Sequence, residues 1–504
     1  MTMQASSTNG VVSDHQADYS NKIVNGDAHL GAIEVTTKIL ANDTKVKVAG
    51  LDFDGVLRGK IMAKDKFLSS LNGGFGMSSA IYGWDMHDVL FTTEVSITSA
   101  DGGYPDMTAE IDLSSMRRLP FEENIAMFLL RFSIGGNPVC ADGRSMMASL
   151  DRTLAKAGAK GFAGVELEFM NFQTPHEDGY GRSDGRRNLA AFMQNNSPGS
   201  LRPLTSGMFG YSVSRPLMSK KFFHEVYDRS LEMGCPIEGW HTESGPGVFE
   251  AALAFSPVSR MADNVSLFKL LTKSIGIEHD TTPCFMAKPI EGLPGNSGHI
   301  HVSLTDLEGK NLFAREVPDP DAPWPDVAHL SDTGRSFLAG LIDALPDIMP
   351  MLAPNVNSYK RLIENYWAPV TVSWGLEDRF SSIRLVSQPI CKPSATRLEI
   401  RIPGADLNPH YALAAIFNAG WRGVQQKMSL NLPPSAQQPK GHRAELLPNT
   451  LQRALERFEA KDSIAREIMG DEFVDAFAVS RHHELRVWRE AVTDWEFKRY
   501  IEIV

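Results

Sequence analysis

The chain contains 504 residues, of which 42% are hydrophobic and 22% charged. Its formal net charge is -11 and its pI is about 5.7. This composition predicts a globular protein with a large core divided into two or more domains. It argues against a nucleic-acid-binding surface, which needs clustered Lys and Arg to neutralise phosphates. Small molecules are the expected partners.

The cysteines and the N-terminus predict a cytoplasmic location. The four cysteines lie far apart and form no C-x-x-C pair, which is typical of reduced thiols. No apolar run is long enough to cross a membrane, and the N-terminal residues lack the charged and apolar regions of a signal peptide. The cysteines are Cys140, Cys235, Cys284 and Cys391.

The chain divides into three parts by composition. Residues 1–28 are rich in Ser, Asn, Asp and Gly, which predicts a disordered tail. Residues 29–140 begin with a helical pattern over 30–43 and continue with short strand-like segments, which predicts a small sheet-rich domain. Residues 141–504 mix strands and helices, end in amphipathic helices, and predict a larger second domain.

Two glutamates lie at a spacing of two in the strand-like segment GVELEFM. Glu166 and Glu168 would project from one face of the strand, because the apolar residues around them project from the other. Two like charges side by side favour a bound cation. For an isolated pair, however, an exposed strand face is the commoner arrangement.

Two other segments repeat this spacing of two. The ordinary interpretation of the first segment is a structural pair of histidines, and that of the second is a salt-bridged exposed face. The segments are GHIHVSL, with His299, His301 and Ser303, and TRLEIRI, with Arg397, Glu399 and Arg401.

An irregular segment adds further carboxylates. In EGWHTESGPGVFE, Glu238, Glu243 and Glu250 surround a Gly-Pro-Gly turn. Loop carboxylates are usually solvated, but three strands and this loop could together collect five glutamates and a histidine. Such nitrogen and oxygen ligands suit Mg²⁺ or Mn²⁺ better than a thiolate-rich zinc site, and they imply phosphate chemistry.

Six basic side chains are concentrated in one part of this acidic chain. Guanidinium groups bind carboxylate and phosphate oxygens with two parallel hydrogen bonds, and phosphoryl transfer needs such groups on its developing negative charge. There is no G-x-x-x-x-G-K-[ST] motif, which excludes a P-loop ATPase. The six are Lys360, Arg361, Arg379, Arg384, Arg397 and Arg401.

With these motifs in this order, the chain resembles the glutamine synthetase superfamily, and within it the glutamate-amine ligase branch that includes gamma-glutamylputrescine synthetase. The resemblance runs from about residue 45 to the end. Its segments are GVELEF, HTESGPGVFEAAL, NSGHIHVSL, NSYKRL, YWAPVTVSWGLEDRFSSIR, TRLEIRIPGADLNPHYALAA and TDWEFKRY.

The resemblance implies an α+β fold with a small β-grasp N-terminal domain over 29–140 and a catalytic domain over 141–504, whose antiparallel sheet forms a metal-lined funnel. It implies an ATP-dependent carboxylate-amine ligase that uses Mg²⁺ or Mn²⁺ and forms an acyl phosphate from glutamate or a close analogue. It also implies a ring-shaped homo-oligomer, a decamer or dodecamer, in which a neighbouring subunit's N-terminal domain completes each site.

Each candidate residue takes its role from the family position that it matches. Glu168, Glu243 and Glu250 match ligands of a first metal beside glutamate, and Glu166, His299 and Glu399 match ligands of a second metal at the nucleotide phosphates. The nucleotide-side positions are Glu238, His301, Ser303, Arg384 and Arg397. The catalytic arginines are Arg361 at the α-carboxylate of glutamate, Arg401 near its γ-carboxylate, and Arg379 as a phosphate clamp.

Three departures from glutamine synthetases bear on the amine and the acid. Trp367 stands before Ala-Pro, where those enzymes carry a Glu that helps bind ammonium. Met77 stands where they carry an ammonium-binding Asp, and Ala80 replaces a usual serine. The glycine loop GNSGHIH replaces the usual NGSGMHVH, which leaves the identity of the acid open.

These departures favour an organic amine over ammonia. An indole and a thioether exchange cation attraction for apolar contact, and Trp adds cation-π attraction. The competing interpretations are an ammonia-using glutamine synthetase, a non-catalytic assembly-forming relative, a ligase for another acid, and a Trp367 that only packs its loop.

Overall fold

The computed structural model describes residues 26–180, 187–364, 367–438 and 444–504. The predicted disordered tail, 1–28, lies outside the described residues except for its last three. The first helix, α1 (Gly26–Ile39), begins four residues earlier than the predicted helix and ends four residues earlier.

A first sheet of six strands is built from the N-terminal part of the chain, with β1 and β5 parallel and the other neighbours antiparallel. Its order is β2-β1-β5-β4-β3, and the short β6 pairs with β5. A short helix, α2 (Lys64–Ser69), follows β2. The strands are β1 (Lys45–Leu51), β2 (Leu57–Ala63), β3 (Phe75–Ser78), β4 (Asp106–Leu119), β5 (Ile125–Ile134) and β6 (Asn137–Pro138).

The strand-like segment at 46–62 is a hairpin of β1 and β2. Its turn forms because Asp52 Oδ1 accepts hydrogen bonds from the backbone N–H groups of Asp54 and Val56, at 3.0 and 2.9 Å. Gly55 supplies the positive φ of 75° that the turn requires. The polar residues between the two apolar runs therefore reverse the chain.

A second sheet of eight strands is built from the rest of the chain, in the order β12-β13-β14-β11-β7-β9-β8, with β10 paired to β7. Its neighbours are antiparallel except for β12 and β13. The strands are β7 (Ala159–Gln173), β8 (Ile237–Thr242), β9 (Val248–Pro257), β10 (Thr281–Cys284), β11 (Ile300–Asp306), β12 (Trp374–Leu376), β13 (Ile383–Val386) and β14 (Arg397–Ile400).

Helices cover one face of the second sheet. The long helix α6 has buried residues along most of its length and packs against β7 and β9, and α9 packs on α3, α6 and α7. The helices are α3 (Gly143–Lys156), α4 (Leu189–Asn195), α5 (Lys220–Glu232), α6 (Val258–Glu278), α7 (Asp332–Ala344), α8 (Met349–Leu352) and α9 (Pro409–Gln425).

The predicted amphipathic C-terminus forms four further helices, α10 (Leu451–Phe458), α11 (Ile464–Met469), α12 (Asp471–Glu490) and α13 (Asp494–Tyr500). The mixed sheets with surrounding helices confirm the predicted α+β class. The division into domains at residue 140 stays a prediction. All four cysteines are unpaired, as expected for reduced thiols. Within the described ranges, no helix combines the length and apolarity needed to cross a membrane.

Candidate active site

The uncovered face of the second sheet begins with the alternation of β7. Val165, Leu167 and Phe169 are at most 1% exposed and point into the core. Glu166 and Glu168 therefore project from the opposite face, as the sequence predicts. Strand pairing then places the other predicted ligands around these two carboxylates.

A first cluster of ligand atoms spans three adjacent strands, β7, β11 and β14. The side-chain oxygens of Glu166 and Glu399 and a ring nitrogen of His301 lie within 4.8 Å of one another. His301 is directly opposite Glu399 in the register, and its Nε2 lies 3.2 Å from Glu166 Oε1. His299 Nδ1 lies 3.4 Å from Glu166 and 3.6 Å from Glu399. Both predicted histidines thus reach the cluster, and the one predicted for the nucleotide side belongs to its tightest group.

A second cluster lies on β8, β9 and the turn between them. Ligand atoms of His241, Glu243 and Glu250 lie within 4.8 Å of one another. Glu168 is directly opposite Glu250 on β7 and β9, close enough for its charge to act on Glu250, and its Oε2 accepts a hydrogen bond from the backbone N–H of Ser297 at 2.6 Å. The structure therefore brings together every residue that the sequence predicts as a metal ligand.

Sequence reasoning missed His241. The residue stands two positions before Glu243, the same spacing as in the other motifs, but the irregular pattern of EGWHTESGPGVFE predicts a loop rather than a strand at this position. The structure makes its first part strand β8, and His241 is directly opposite Glu250 on β9. The period-two spacing was the signal that could have found it.

The charges of the two clusters fit bound divalent cations. Burial, reinforced by Glu168 and Glu166, raises the pKa of Glu250 to about 10. Burial opposes ionisation of Glu166 as well, but hydrogen bonds from His299 and His301 hold its pKa well below the usual range. Carboxylates crowded together in this way are stabilised by a cation, and carboxylate and imidazole ligands suit Mg²⁺ or Mn²⁺.

Two arginines flank the first cluster. Nη1 of Arg384 donates to Glu399 at 2.7 Å, and its Nη2 donates to Glu377 at 2.6 Å. Arg401 also bonds Glu399 through Nη1, and its Nε donates to the carbonyl oxygen of Arg379 at 3.0 Å. Both guanidinium groups therefore bond Glu399, a buried carboxylate of the first cluster.

Arg361 is buried beside the glycine loop. Its Nη2 donates to the backbone carbonyls of Arg401 at 3.2 Å, Pro403 at 2.9 Å and Ile402. A Cβ added at Gly295 would lie 2.6 Å from Cγ of Arg361, so only glycine fits there without displacement. Burial lowers the pKa of Arg361 to about 10, so the group stays charged near neutral pH. Its Nε is buried and has no hydrogen-bond partner among the described residues.

Tyr211 is a second residue that sequence reasoning missed. Its ring stacks on His241 with centroids 4.5 Å apart, and its backbone N–H donates to the Thr242 carbonyl at 2.8 Å. Burial and the charges of Glu243 and Glu250 raise its pKa. Nothing in the surrounding segment, SGMFGYSVS, has a charge or spacing that marks this tyrosine.

Trp367 lies at an exposed edge of the site. Its ring stacks on Phe380, which follows Arg379 in the chain, with centroids 4.8 Å apart. Met77 lies on β3 of the first sheet, half-buried against the core, so a place for it in a neighbouring subunit's site stays a prediction. Lys360 is exposed beside the buried Arg361.

Two of the predicted nucleotide-side residues have less support. Glu238 is exposed on β8, three residues before His241. Ser303 lies two residues beyond His301 on β11 and is half-buried. Arg397, in contrast, donates from Nε to Nδ1 of His301 at 3.2 Å. The nucleotide roles of these residues remain predictions.

Comparison with known proteins agrees with this geometry. Residues 140–500 match the family model described as glutamine synthetase, catalytic domain. The chain is 39% identical to type-1 glutamine synthetase 2 of Dictyostelium discoideum, over 91% of this chain and 84% of that protein. It is 30% identical to glutamate-isopropylamine ligase of Pseudomonas sp, over 92% and 96% of the two chains. It is also 30% identical to gamma-glutamylethanolamide synthetase of Streptomyces coelicolor, over 94% and 96%.

The fold is also that of a solved structure. The GmaS/ADP complex superposes with a TM-score of 0.74 at 23% identity and covers 92% of this chain and 99% of its own. That likeness shows the fold. The family model and the curated relatives establish the rest: the chain belongs to the glutamine synthetase catalytic domain family of ligases.

Proposed function

We propose that the protein joins the γ-carboxylate of glutamate, or of a close analogue, to an organic amine with hydrolysis of ATP to ADP and phosphate. The observation that carries the proposal is the uncharged, exposed Trp367–Phe380 pair at the edge of a site that keeps both carboxylate clusters and their arginines. One of the relatives above is named as a glutamate-isopropylamine ligase, and another as a gamma-glutamylethanolamide synthetase.

The chemistry needs activation, because a carboxylate would have to expel oxide. Its oxygen attacks the γ-phosphorus of ATP, the bond to ADP breaks, and an acyl phosphate forms. The amine nitrogen then attacks the acyl carbon, phosphate leaves, and the nitrogen loses a proton. An alkylammonium has a pKa comparable to the roughly 10.4 of Lys, so it must lose one proton before it attacks.

The residues of the site suit these steps. Glu166, Glu399 and the histidines would hold one divalent cation, and Glu168, Glu243, Glu250 and His241 would hold another. Mg²⁺ or Mn²⁺, when bound, would supply positive charge at the phosphates. Arg361 would orient the acid, while Arg379, Arg384 and Arg401 would stabilise the negative charge that develops on the phosphoryl group.

Assembly belongs to the same proposal. We propose that residues 29–140 form a β-grasp domain, that residues 141–504 form the catalytic domain, and that the chain assembles into a decameric or dodecameric ring. In that ring Met77 of one subunit would lie near Trp367 of the next. Native mass spectrometry would give the number of subunits.

A second candidate function is ammonia-dependent glutamine synthesis. It is favoured by the 39% identity to a protein named as a type-1 glutamine synthetase. The uncharged Trp367, at the position of an ammonium-binding Glu in such enzymes, argues against it. A non-catalytic scaffold is disfavoured because both carboxylate clusters and the arginines are kept.

The test measures ADP release with ATP, Mg²⁺ and glutamate, with ammonia and a panel of primary amines supplied one at a time. Products are identified by mass spectrometry. The proposal requires ADP release that depends on both acid and amine, with a higher kcat/KM for at least one organic amine than for ammonia. Preference for ammonia over every organic amine would overturn the proposal. ADP release that needs neither the acid nor the amine would contradict the ligase assignment.

A further inference from the structure

The stacked pair of Trp367 and Phe380 is exposed to solvent. The two residues are 60% and 65% exposed, and their ring planes are inclined by only 19°. Aromatic rings that stay this exposed although they stack on each other present a large apolar surface to a ligand.

The backbone of Trp367 is held in an unusual conformation. Its φ of 58° lies in the left-handed region, which non-glycine residues rarely adopt. Such a conformation persists where the surrounding structure fixes it, and these positions cluster at functional sites. The stacking contact with Phe380 is one interaction that holds the indole in this orientation.

Phe380 is tied to the catalytic residues through its own backbone. The carbonyl of the preceding residue, Arg379, accepts a hydrogen bond from Nε of Arg401 at 3.0 Å, and Arg401 also bonds Glu399 of the first metal-ligand cluster. On the other side, the N–H of Phe380 donates to Asp378 Oδ1 at 3.0 Å. These two bonds hold the backbone at Phe380 beside Arg401, and the only ring contact recorded for its phenyl group among the described residues is the stacking on Trp367.

We infer that Phe380 and Trp367 together form an aromatic wall that binds the carbon substituent of the amine, so that Phe380 determines specificity for amines with alkyl or aryl groups. This inference rests on the proposed function. Contact with the faces of the two rings removes the apolar carbon of the amine from water, which favours binding. They offer no conventional hydrogen-bond acceptor for a hydroxyl group, which would lose its water without replacement.

The inference predicts a difference between two amines of equal heavy-atom count, isopropylamine and ethanolamine. The loss of an apolar contact worth about one methylene changes the ratio of kcat/KM values between two substrates by at least about tenfold. We expect Phe380→Ala to lower kcat/KM for isopropylamine about tenfold, through KM, and to change the value for ethanolamine less than about twofold. The KM values for ATP and glutamate should stay unchanged.

Two matched variants accompany this measurement. Phe380→Leu keeps apolar surface and should restore most of the preference for isopropylamine. Phe255→Ala removes a phenylalanine that is 67% exposed on β9, close to the exposure of Phe380, and should leave the ratio of the two amines unchanged. If Phe380→Ala does not fold, a partial change of the ratio in Phe380→Leu still tests the inference.

Other outcomes separate this inference from the proposed function. If the wild type forms amides but Phe380→Ala leaves the ratio unchanged, or lowers both amines equally, the aromatic wall is wrong and the ligase assignment stands. An unchanged ratio with altered oligomer mass by light scattering would assign the rings to a contact between subunits instead. A wild type that uses only ammonia would overturn both proposals.

Discussion

Glu168 and Glu250 are directly opposite each other on neighbouring antiparallel strands. Like charges at opposed positions destabilise a sheet, and burial together with Glu168 raises the pKa of Glu250 to about 10. A divalent cation would favour ionisation of both carboxylates, so binding should release protons and stabilise the fold. At a hundred times its Kd, Mn²⁺ should add about 2.7 kcal/mol to the free energy of unfolding. The measurement is the rise in Tm when Mn²⁺ is added to protein that has first been freed of metals with EDTA.

A pair of variants separates this site from general ion effects. Glu250→Gln should lose a large part of the Mn²⁺-dependent rise in Tm. Glu308→Gln, which removes an exposed carboxylate beyond β11, should keep all of it. An unchanged rise in Glu250→Gln would show that the second cluster does not bind the metal.

Glu166 is the second test of the metal assignment, because it contacts both His299 and His301. Loss of residues that merely orient metal ligands costs about 10–100-fold, so loss of a ligand should cost more than about a hundredfold. We expect Glu166→Ala to lower kcat for ADP release by at least that factor, while Glu308→Ala has no effect. A fully active Glu166→Ala enzyme would refute the assignment.

Arg361 should serve both binding and stability. Its guanidinium satisfies three backbone carbonyls, of residues 401, 402 and 403, which a lysine cannot reach with the same geometry. We expect Arg361→Lys to raise the KM for glutamate at least tenfold and to lower the free energy of unfolding by about 1–3 kcal/mol. Steady-state kinetics and denaturant unfolding measure the two effects. The exposed Arg489→Lys should change neither, and an unchanged glutamate KM in Arg361→Lys would contradict its role.

The sequence predicts the direction of a side chain wherever residues alternate along a strand. Glu166 and Glu168 lie on a strand whose buried partners are all large and apolar, so the face of each carboxylate follows from period two alone. The resemblance to a family groups Glu166 with His299 and Glu399 and assigns His301 to the nucleotide side, whereas the pairing of His301 with Glu399 comes from the structure alone.

The sequence failed wherever the contact depends on tertiary packing of irregular segments. Tyr211 stacks on His241 across 30 positions of chain, and no charge or spacing around Tyr211 indicates this contact. Phe380 meets Trp367 because two loops converge, and an exposed phenylalanine carries no signal in the sequence. Such contacts follow from the fold as a whole rather than from any local spacing.

A buried ion-pair network should govern stability in acid. Asp263 on α6 accepts from Arg144 at 2.9 and 3.0 Å and contacts His410 at 3.0 Å. Burial opposes ionisation of Asp263, but Arg144 and His410 hold its pKa well below the usual range. Because this folded pKa is lowered, the ionised carboxylate contributes stability above the unfolded pKa of about 3.9, and that contribution is lost as pH falls further.

The variant Asp263→Asn should therefore be less stable than wild type by about 3 kcal/mol at pH 7, because it removes one of the two carboxylates that pair with the buried Arg144 and leaves only Asp112. The difference should shrink steadily below about pH 4. Chemical denaturation of the metal-free protein across this pH range measures it, with the exposed Asp321→Asn as control. A difference that stays constant down to about pH 3 would contradict the expected titration.

Trp367 should decide between ammonia and organic amines. Replacing its indole by a carboxylate removes the stacking on Phe380 and adds a negative charge that attracts ammonium. We expect Trp367→Glu to shift the ratio of kcat/KM values toward ammonia by at least about tenfold, a change of about 1.4 kcal/mol in relative transition-state stabilisation. The measurement is a competition between ammonia and isopropylamine read by mass spectrometry of the amide products. Trp367→Gln, which has nearly the shape of the Glu variant without its charge, should shift this ratio less, because it loses contact with isopropylamine but does not attract ammonium. An equal shift toward ammonia in both variants would assign the effect to space rather than charge, and an unchanged ratio in Trp367→Glu would show that this residue only packs its loop.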